Sequence, residues 1–136
     1  MAIKKMNMSA TPNHGFPLEH ETKTLIGIAF EIHRILGTGF LEIVYKDAFE
    51  YELHQRGIPF SRENEYKIKY KDIFLKHRFH ADFVVFDKVI LEVKSQNGIA
   101  EKNVAQTLNY LKTSGCKVGL ILNFGETSLQ VKRYVL

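Results

Sequence analysis

The sequence carries one cysteine, Cys116, so no intramolecular disulfide can form, and the chain suits a reducing compartment. Residues 1–11 lack the apolar segment of a signal peptide. No apolar run approaches the roughly 18 residues that a membrane-spanning helix needs. These absences lead to the expectation of a cytoplasmic protein with no membrane partner. A phosphate-binding loop and a glycine-rich dinucleotide fingerprint are also missing, which excludes the nucleotide-binding folds built on them. Internal repeats and low-complexity tracts are absent, so a single globular unit is expected. His77 and His80 stand three apart in a segment that reads as strand. That spacing puts them on opposite faces and argues against a shared zinc site. Cys116 follows Gly115 in a turn with no local histidine, and reads as an ordinary thiol.

What is present fits one domain. A length of 136 residues suits one core, and a net charge of +4 permits a polyanionic partner without demanding one. Residues 1–20, with Ser9, Thr11, Pro12, Asn13, Gly15 and Pro17 and no apolar period, read as a flexible tail. Residues 21–136 read as the domain. From about Glu21, Leu25, Ile28, Ala29, Ile32, Ile35 and Leu36 recur at helical spacing up to Gly37. A tight "GTGF" link leads to a second helix, about Leu41 to Arg56, closed by Gly57 and Pro59. "YKIKY" then alternates as a strand, Lys71-Asp72 turns, and strands of about Ile73–Phe86 and Val89–Ser95 follow. "EKNVAQTLNYLKTSG" predicts a helix with Val104, Leu108 and Leu111 as its apolar stripe. "KVGLILNF" and "SLQVKRYVL" close the chain as strands. The order is α-α-β-β-β-α-β-β, an α/β or mixed α+β domain with helices packed on a sheet.

Within two of these apolar strands stand three charges. Asp82 lies in "ADFVVF", and Glu92 and Lys94 lie in "ILEVKS". Burying an ionised carboxylate is costly unless it is paired or binds a metal. A two-residue turn at Asp87-Lys88 would oppose Asp82 to Val93. A three-residue loop, Phe86 to Lys88, pairs Val85 with Val89 and therefore Asp82 with Glu92. Only the second register separates charged from apolar residues, leaving Phe83, Val85, Val89, Leu91 and Val93 together on the other face, and it is the register predicted. Two carboxylates and a lysine on one face could hold Mg²⁺ and activate water for phosphodiester hydrolysis. They could equally form a Glu-Lys cross-strand pair with Asp82 as neighbour. Gln106 and Tyr110, four apart with Asn103 nearby, share a helical face that either looks onto the carboxylates or is solvated. Glu42 is placed to favour its helix N-terminus. Lys67, Lys69, Lys71, Lys76 and Arg78 cluster on the first hairpin, where they either grip a nucleic-acid backbone or guard an edge strand against aggregation.

Gly39, Glu42 and Tyr45 spell G-x-x-E-x-x-Y. With "HRILGTGFLE", "HADFVV", "VILEVKS", "QTLNYLKTSG" and "GLILNFG" in the same order, the chain from about residue 20 to 136 resembles the GxxExxY family, grouped with the PD-(D/E)xK nuclease superfamily. The resemblance implies a restriction-endonuclease-like core, a mixed β-sheet flanked by helices, with an acidic site on the sheet. It implies a Mg²⁺- or Mn²⁺-dependent nuclease acting on DNA, less readily RNA, or a catalytically inactive module of the same fold that binds nucleic acid or a protein. Carried over, Asp82, Glu92 and the Val93 carbonyl would be metal ligands, and Lys94 would position or activate the water. Glu42 would be the further acidic residue and Gln106 the polar residue of the following helix. Tyr45 and Tyr110 would support the site or the substrate. The family often has Arg two residues before the aspartate, whereas this chain has His80, which would contact phosphate or partner a carboxylate. A homodimer is one way a chain this small would gain a second recognition surface.

Overall fold

The computed structural model describes residues 4–6 and 17–136. Its elements are β1 (Lys4–Met6), α1 (Glu19–Leu36), α2 (Glu42–Gln55), β2 (Phe60–Tyr70), β3 (Ile73–Val85), β4 (Val89–Lys94), α3 (Glu101–Ser114), β5 (Val118–Asn123) and β6 (Gln130–Val135). Among the described residues the strands form one six-stranded sheet in the order β1-β6-β5-β4-β3-β2. β4 and β5 run parallel, joined by the α3 crossover, and every other neighbouring pair is antiparallel.

Most of this order follows the hydrophobic pattern, with three differences. Lys4–Met6 lies in the segment read as a tail, yet it pairs along β6; residues 1–3 and 7–16 of that segment lie outside the described residues. β2 starts at Phe60, six residues before "YKIKY", because "FSREN" continues the ladder against β3 from Phe60↔Val85 onward. The buried side of α3 is also broader than the aliphatic stripe, of which Leu111 is fully buried and Val104 and Leu108 pack at its margin. Asn103, Thr107, Tyr110 and Leu111 are buried while Val104 and Leu108 are only half-buried. Gly119 on β5 makes this possible: a Cβ there would sit 2.9 Å from Thr107 Cγ2, so its absence lets the helix settle on the strand. Thr107 needs no outside partner, since its hydroxyl donates to the Asn103 carbonyl.

Two apolar layers sandwich the sheet. α1 and α2 cover one side with Leu25, Ile28, Ile32, Phe49 and Leu53, which pack on Phe83, Val85, Val89, Leu91 and Val93. α3 covers the other side, where Tyr110 and Leu111 meet Val84, Ile90 and Ile121. Fully burying side chains of this size contributes about 1.5–3 kcal/mol each, so this alternation dictates which way each strand faces. The loop between β3 and β4 is the three-residue Phe86–Lys88 connection. Val85 pairs with Val89, and Phe86 and Asp87 both take φ of 58°.

Candidate active site

The β3–β4 ladder is regular from Val85↔Val89 through Phe83↔Leu91. Beyond that point carboxylates carry the connection between the strands. The Asp82 N–H donates to Glu92 Oε2 at 2.8 Å, and the Val93 N–H donates to Asp82 Oδ2 at 2.8 Å. Both carboxylates are buried, Asp82 at 7 % exposure and Glu92 at 2 %. The sequence expectation that Asp82 and Glu92 converge is therefore met in space. Lys94 follows two residues along β4, half-buried at the strand end.

β2 contributes to the site through a distortion. Phe60 and Arg62 lie against Phe83 on the α1–α2 side, at 6.0 Å between rings and 5.7 Å from guanidinium to ring. Tyr66, which strict alternation would place with them, instead stacks on Phe79 over Tyr110 on the α3 side. The ribbon rolls over between these points. Glu63 sits in the roll with φ 55°, in line with Asp82 between the Arg62↔Phe83 and Asn64↔Ala81 pairs. A left-handed conformation at a non-glycine residue costs about 1–3 kcal/mol. What holds it is Lys46 of α2, whose Nζ lies 3.0 Å from Glu63 Oε1 and 2.7 Å from Asp82 Oδ1. The Lys46 side chain is 12 % exposed. Burial alone would lower its pKa, but the hydrogen bonds to Asp82 and Glu63 outweigh that and raise it. Lys46 and Glu63 are residues the sequence reading missed. The spacing Glu42-x-x-x-Lys46 was the available signal, since residues four apart share a helix face.

The remaining sequence candidates sort by position. Glu42 opens α2, half-buried. Its pKa is raised chiefly by burial, against the lowering effect of nearby Lys94. The Ser95 hydroxyl donates to the Phe40 carbonyl at 2.9 Å, which ties the loop before α2 to the end of β4. Tyr45 requires a correction. It is fully buried, stacked on Phe124 at 4.6 Å, and its hydroxyl donates to the Gly37 carbonyl at 2.6 Å. It braces the "GTGF" link and cannot touch a substrate. Tyr110 is corrected in the same sense. At 5 % exposure, with its ring 4.3 Å from Phe79, it forms a wall rather than a binding surface. Burial, then the charges of Glu92 and Asp82, push its phenol well above the ordinary range. Gln106 is exposed on α3 and hydrogen-bonds Tyr110. Asn103, expected beside it, is turned inward, where its carboxamide oxygen accepts from Ala100 N–H and Gln96 Nε2. His80 is exposed and opposite Glu65.

Burial and the neighbouring Asp82 charge push the Glu92 carboxyl up to about 8. Two carboxylates held this close in a dry setting do not both ionise without a compensating cation, and Lys46 at 2.7 Å from Asp82 supplies one. Among the described residues no three His, Cys, Asp or Glu side chains group as a metal cage. The oxygens brought together are those of the Asp82 and Glu92 carboxylates, a chemistry that suits a hard cation keeping several of its own waters. No described helix is long and apolar enough to cross a membrane.

No curated protein and no solved structure matches the chain. A family model matches residues 19–134, from the start of α1 almost to the C-terminus, and it is the model of the PD-(D/E)XK nuclease superfamily. Since the matched span includes both helices over the apolar sheet face, the carboxylate-bearing β3–β4 pair and the α3 crossover, the chain belongs to the PD-(D/E)XK nuclease superfamily.

Proposed function

We propose that the protein is a divalent-metal-dependent nuclease of the GxxExxY type that hydrolyses phosphodiester bonds in DNA, RNA being the less favoured substrate. The observation that carries this reading is the pair of buried carboxylates, Asp82 and Glu92, cross-linked to the strand backbones at 2.8 Å with Lys94 just beyond them. Asp82, Glu92 and the Val93 carbonyl would hold Mg²⁺ or Mn²⁺. The bound cation would offset charge on a phosphate oxygen and acidify a water. Lys94, half-buried at the end of β4, would position or activate the attacking water. Glu42, from the adjoining helix start, supplies a further acceptor at the rim, and Gln106 keeps Tyr110 in place as the wall. His80, exposed on β3, is free to meet a phosphate. The lone Cys116 fits a reducing, cytoplasmic setting.

A second reading has its own support. The Lys46 ammonium at 2.7 Å from Asp82 already neutralises that carboxylate, which is what a non-catalytic member of the fold that binds nucleic acid or a protein would retain. Incubation of the purified protein with labelled single- and double-stranded DNA and RNA, with Mg²⁺ or Mn²⁺, separates the two. The nuclease reading expects cleavage that Asp82→Ala and Lys94→Ala each abolish. Cleavage surviving both changes belongs to a contaminant, and metal binding without cleavage favours the second reading.

A further inference from the structure

The β2–β3 ribbon continues far beyond the sheet. β3 pairs with β4 only at Phe83, Val84 and Val85, whereas its ladder with β2 runs on to Tyr70↔Ile73. One face of the extension leans on α3 through the Tyr66, Phe79 and Tyr110 rings. Among the described residues the other face is open. Along β2, Glu65, Lys67 and Lys69 are exposed while Asn64, Tyr66 and Ile68 are half-buried. Lys67 is opposite Arg78, and exposed Lys76 follows on β3. The ribbon's carboxylates stand at its ends, Glu63 and Glu65 by the site and Asp72 in the turn. A cationic stretch therefore leads from Asp82 to the tip. From Phe74 to Asp82 the ribbon advances roughly 20 Å, because the facing β2 stretch from Lys69 to Glu63 is six steps of about 3.3 Å and β3 carries the irregularity.

Protection of an edge strand does not account for the tip. Tyr70, Ile73 and Phe74 are 55 %, 58 % and 57 % exposed there, and bare aromatic and aliphatic surface invites the association that edge lysines prevent. Lys67 lies 5.5 Å over the Phe74 ring and Lys71 5.5 Å over the Tyr70 ring. Lys67, Lys69 and Phe74 thus share the open face, while Tyr70 and Ile73, one pair further on, alternate to the other side of the tip beside Lys71. Phosphates would be met by the lysines, and groove edges or unstacked bases by the rings.

We infer that the open face of this ribbon is a docking arm for duplex DNA, which it presents to the Asp82–Glu92 site. A two-stranded ribbon fits the major groove of B-form DNA, whereas the A-form RNA major groove is too deep and narrow for it. The inference rests on the nucleic-acid part of the proposed function, and its test is independent of catalysis. Fluorescence anisotropy with a labelled DNA duplex in EDTA measures binding by the full chain without turnover. Lys67→Ser/Lys69→Ser/Lys76→Ser, all at exposed positions, should weaken binding at least about tenfold and flatten the log–log salt slope by about 2 to 3, near 0.9 per lost phosphate contact. Lys112→Ser/Lys117→Ser, exposed elsewhere, should leave both unchanged, and circular dichroism should match wild type throughout. Wild-type affinity and slope in the triple variant would overturn the inference, as would tighter binding of an RNA duplex or single-stranded DNA. Arm-dependent binding with no cleavage under Mg²⁺ or Mn²⁺ would reject the nuclease reading and keep the arm. Cleavage with duplex binding that ignores the triple change would reject the arm and keep the nuclease.

Discussion

The two halves of β3 differ in almost everything but backbone conformation. From Ala81 to Val85 every residue is buried, with β2 on one side, β4 adjoining Phe83 to Val85, and helices on both faces. From Ile73 to His80 the strand has, among the described residues, β2 alone as a paired strand, and its side chains are exposed or half-exposed. Asp82 stands within the inner half, next to the point where the ribbon rolls over at Glu63. A carboxylate deeper in the sheet would have no way to reach a polar ligand, and one farther out would be solvated and ordinary. The transition from packed to unpacked strand is what makes the carboxylate both dry and accessible to Lys46 and Glu92.

Stability measurements can break this comparison. Phe83→Ala removes a fully buried ring that touches Phe49 and Phe60; denaturant unfolding should show a loss of about 3–5 kcal/mol. Lys46→Met should cost about 2 kcal/mol in metal-free protein, less than removal of one partner from a fully buried pair, because Asp82 then faces Glu92 and Glu63 without its ion-pair partner while Lys94 still acts on Glu92. Millimolar Mn²⁺ should return most of that loss in a thermal melt, and a melt that Mn²⁺ leaves unmoved would sever the lysine from the proposed metal site.

The pH dependence sharpens the same boundary. Folded Glu92 keeps its proton up to about 8, whereas an unfolded glutamate releases it near 4.5. Between those values the folded state binds more protons, so this residue makes stability fall as pH rises. Glu92→Gln is neutral throughout and should melt several degrees above wild type at pH 8 to 9 without metal, the difference shrinking toward pH 4.5. An equal melting difference at every pH would refute the assignment. Tyr45→Phe, which removes the 2.6 Å bond to the Gly37 carbonyl but keeps the ring stack, should cost about 1 kcal/mol. It should leave substrate affinity intact in a metal-free binding assay. The smallest effect belongs to the outer half: Phe74→Ala should change stability by no more than about 0.5 kcal/mol.

Much of the fold was legible because local pattern and burial agree. The α1 period from Leu25 to Ile32, the Gly37 and Gly115 stops and the β4 apolar run each describe what a segment must bury, and the structure places them accordingly, whereas Ile35 at the end of the α1 period is 64 % exposed. The α3 face was only partly legible, Leu111 being buried as expected and Val104 and Leu108 marginal. Its aliphatic residues suggested one stripe, but Gly119 on a distant strand allowed Asn103 and Thr107 to be the buried positions. The roles of Tyr45 and Tyr110 were not readable from the motif either, because a tyrosine at a given spacing looks the same whether its ring faces solvent or Phe124.

The sequence by itself determined that Asp82 and Glu92 share a side of the sheet. A one-residue slip would have mixed Phe83, Val85, Leu91 and Val93 with charges, and the cost of burying those charges selects a single register. Tertiary structure alone decided that Lys46 reaches across from α2, that Glu63 takes a left-handed turn opposite Asp82, and that the outer ribbon faces open solvent. Those outcomes depend on how a helix, a twisted ribbon and a sheet edge meet in space, and that geometry is set by contacts between segments far apart in the chain.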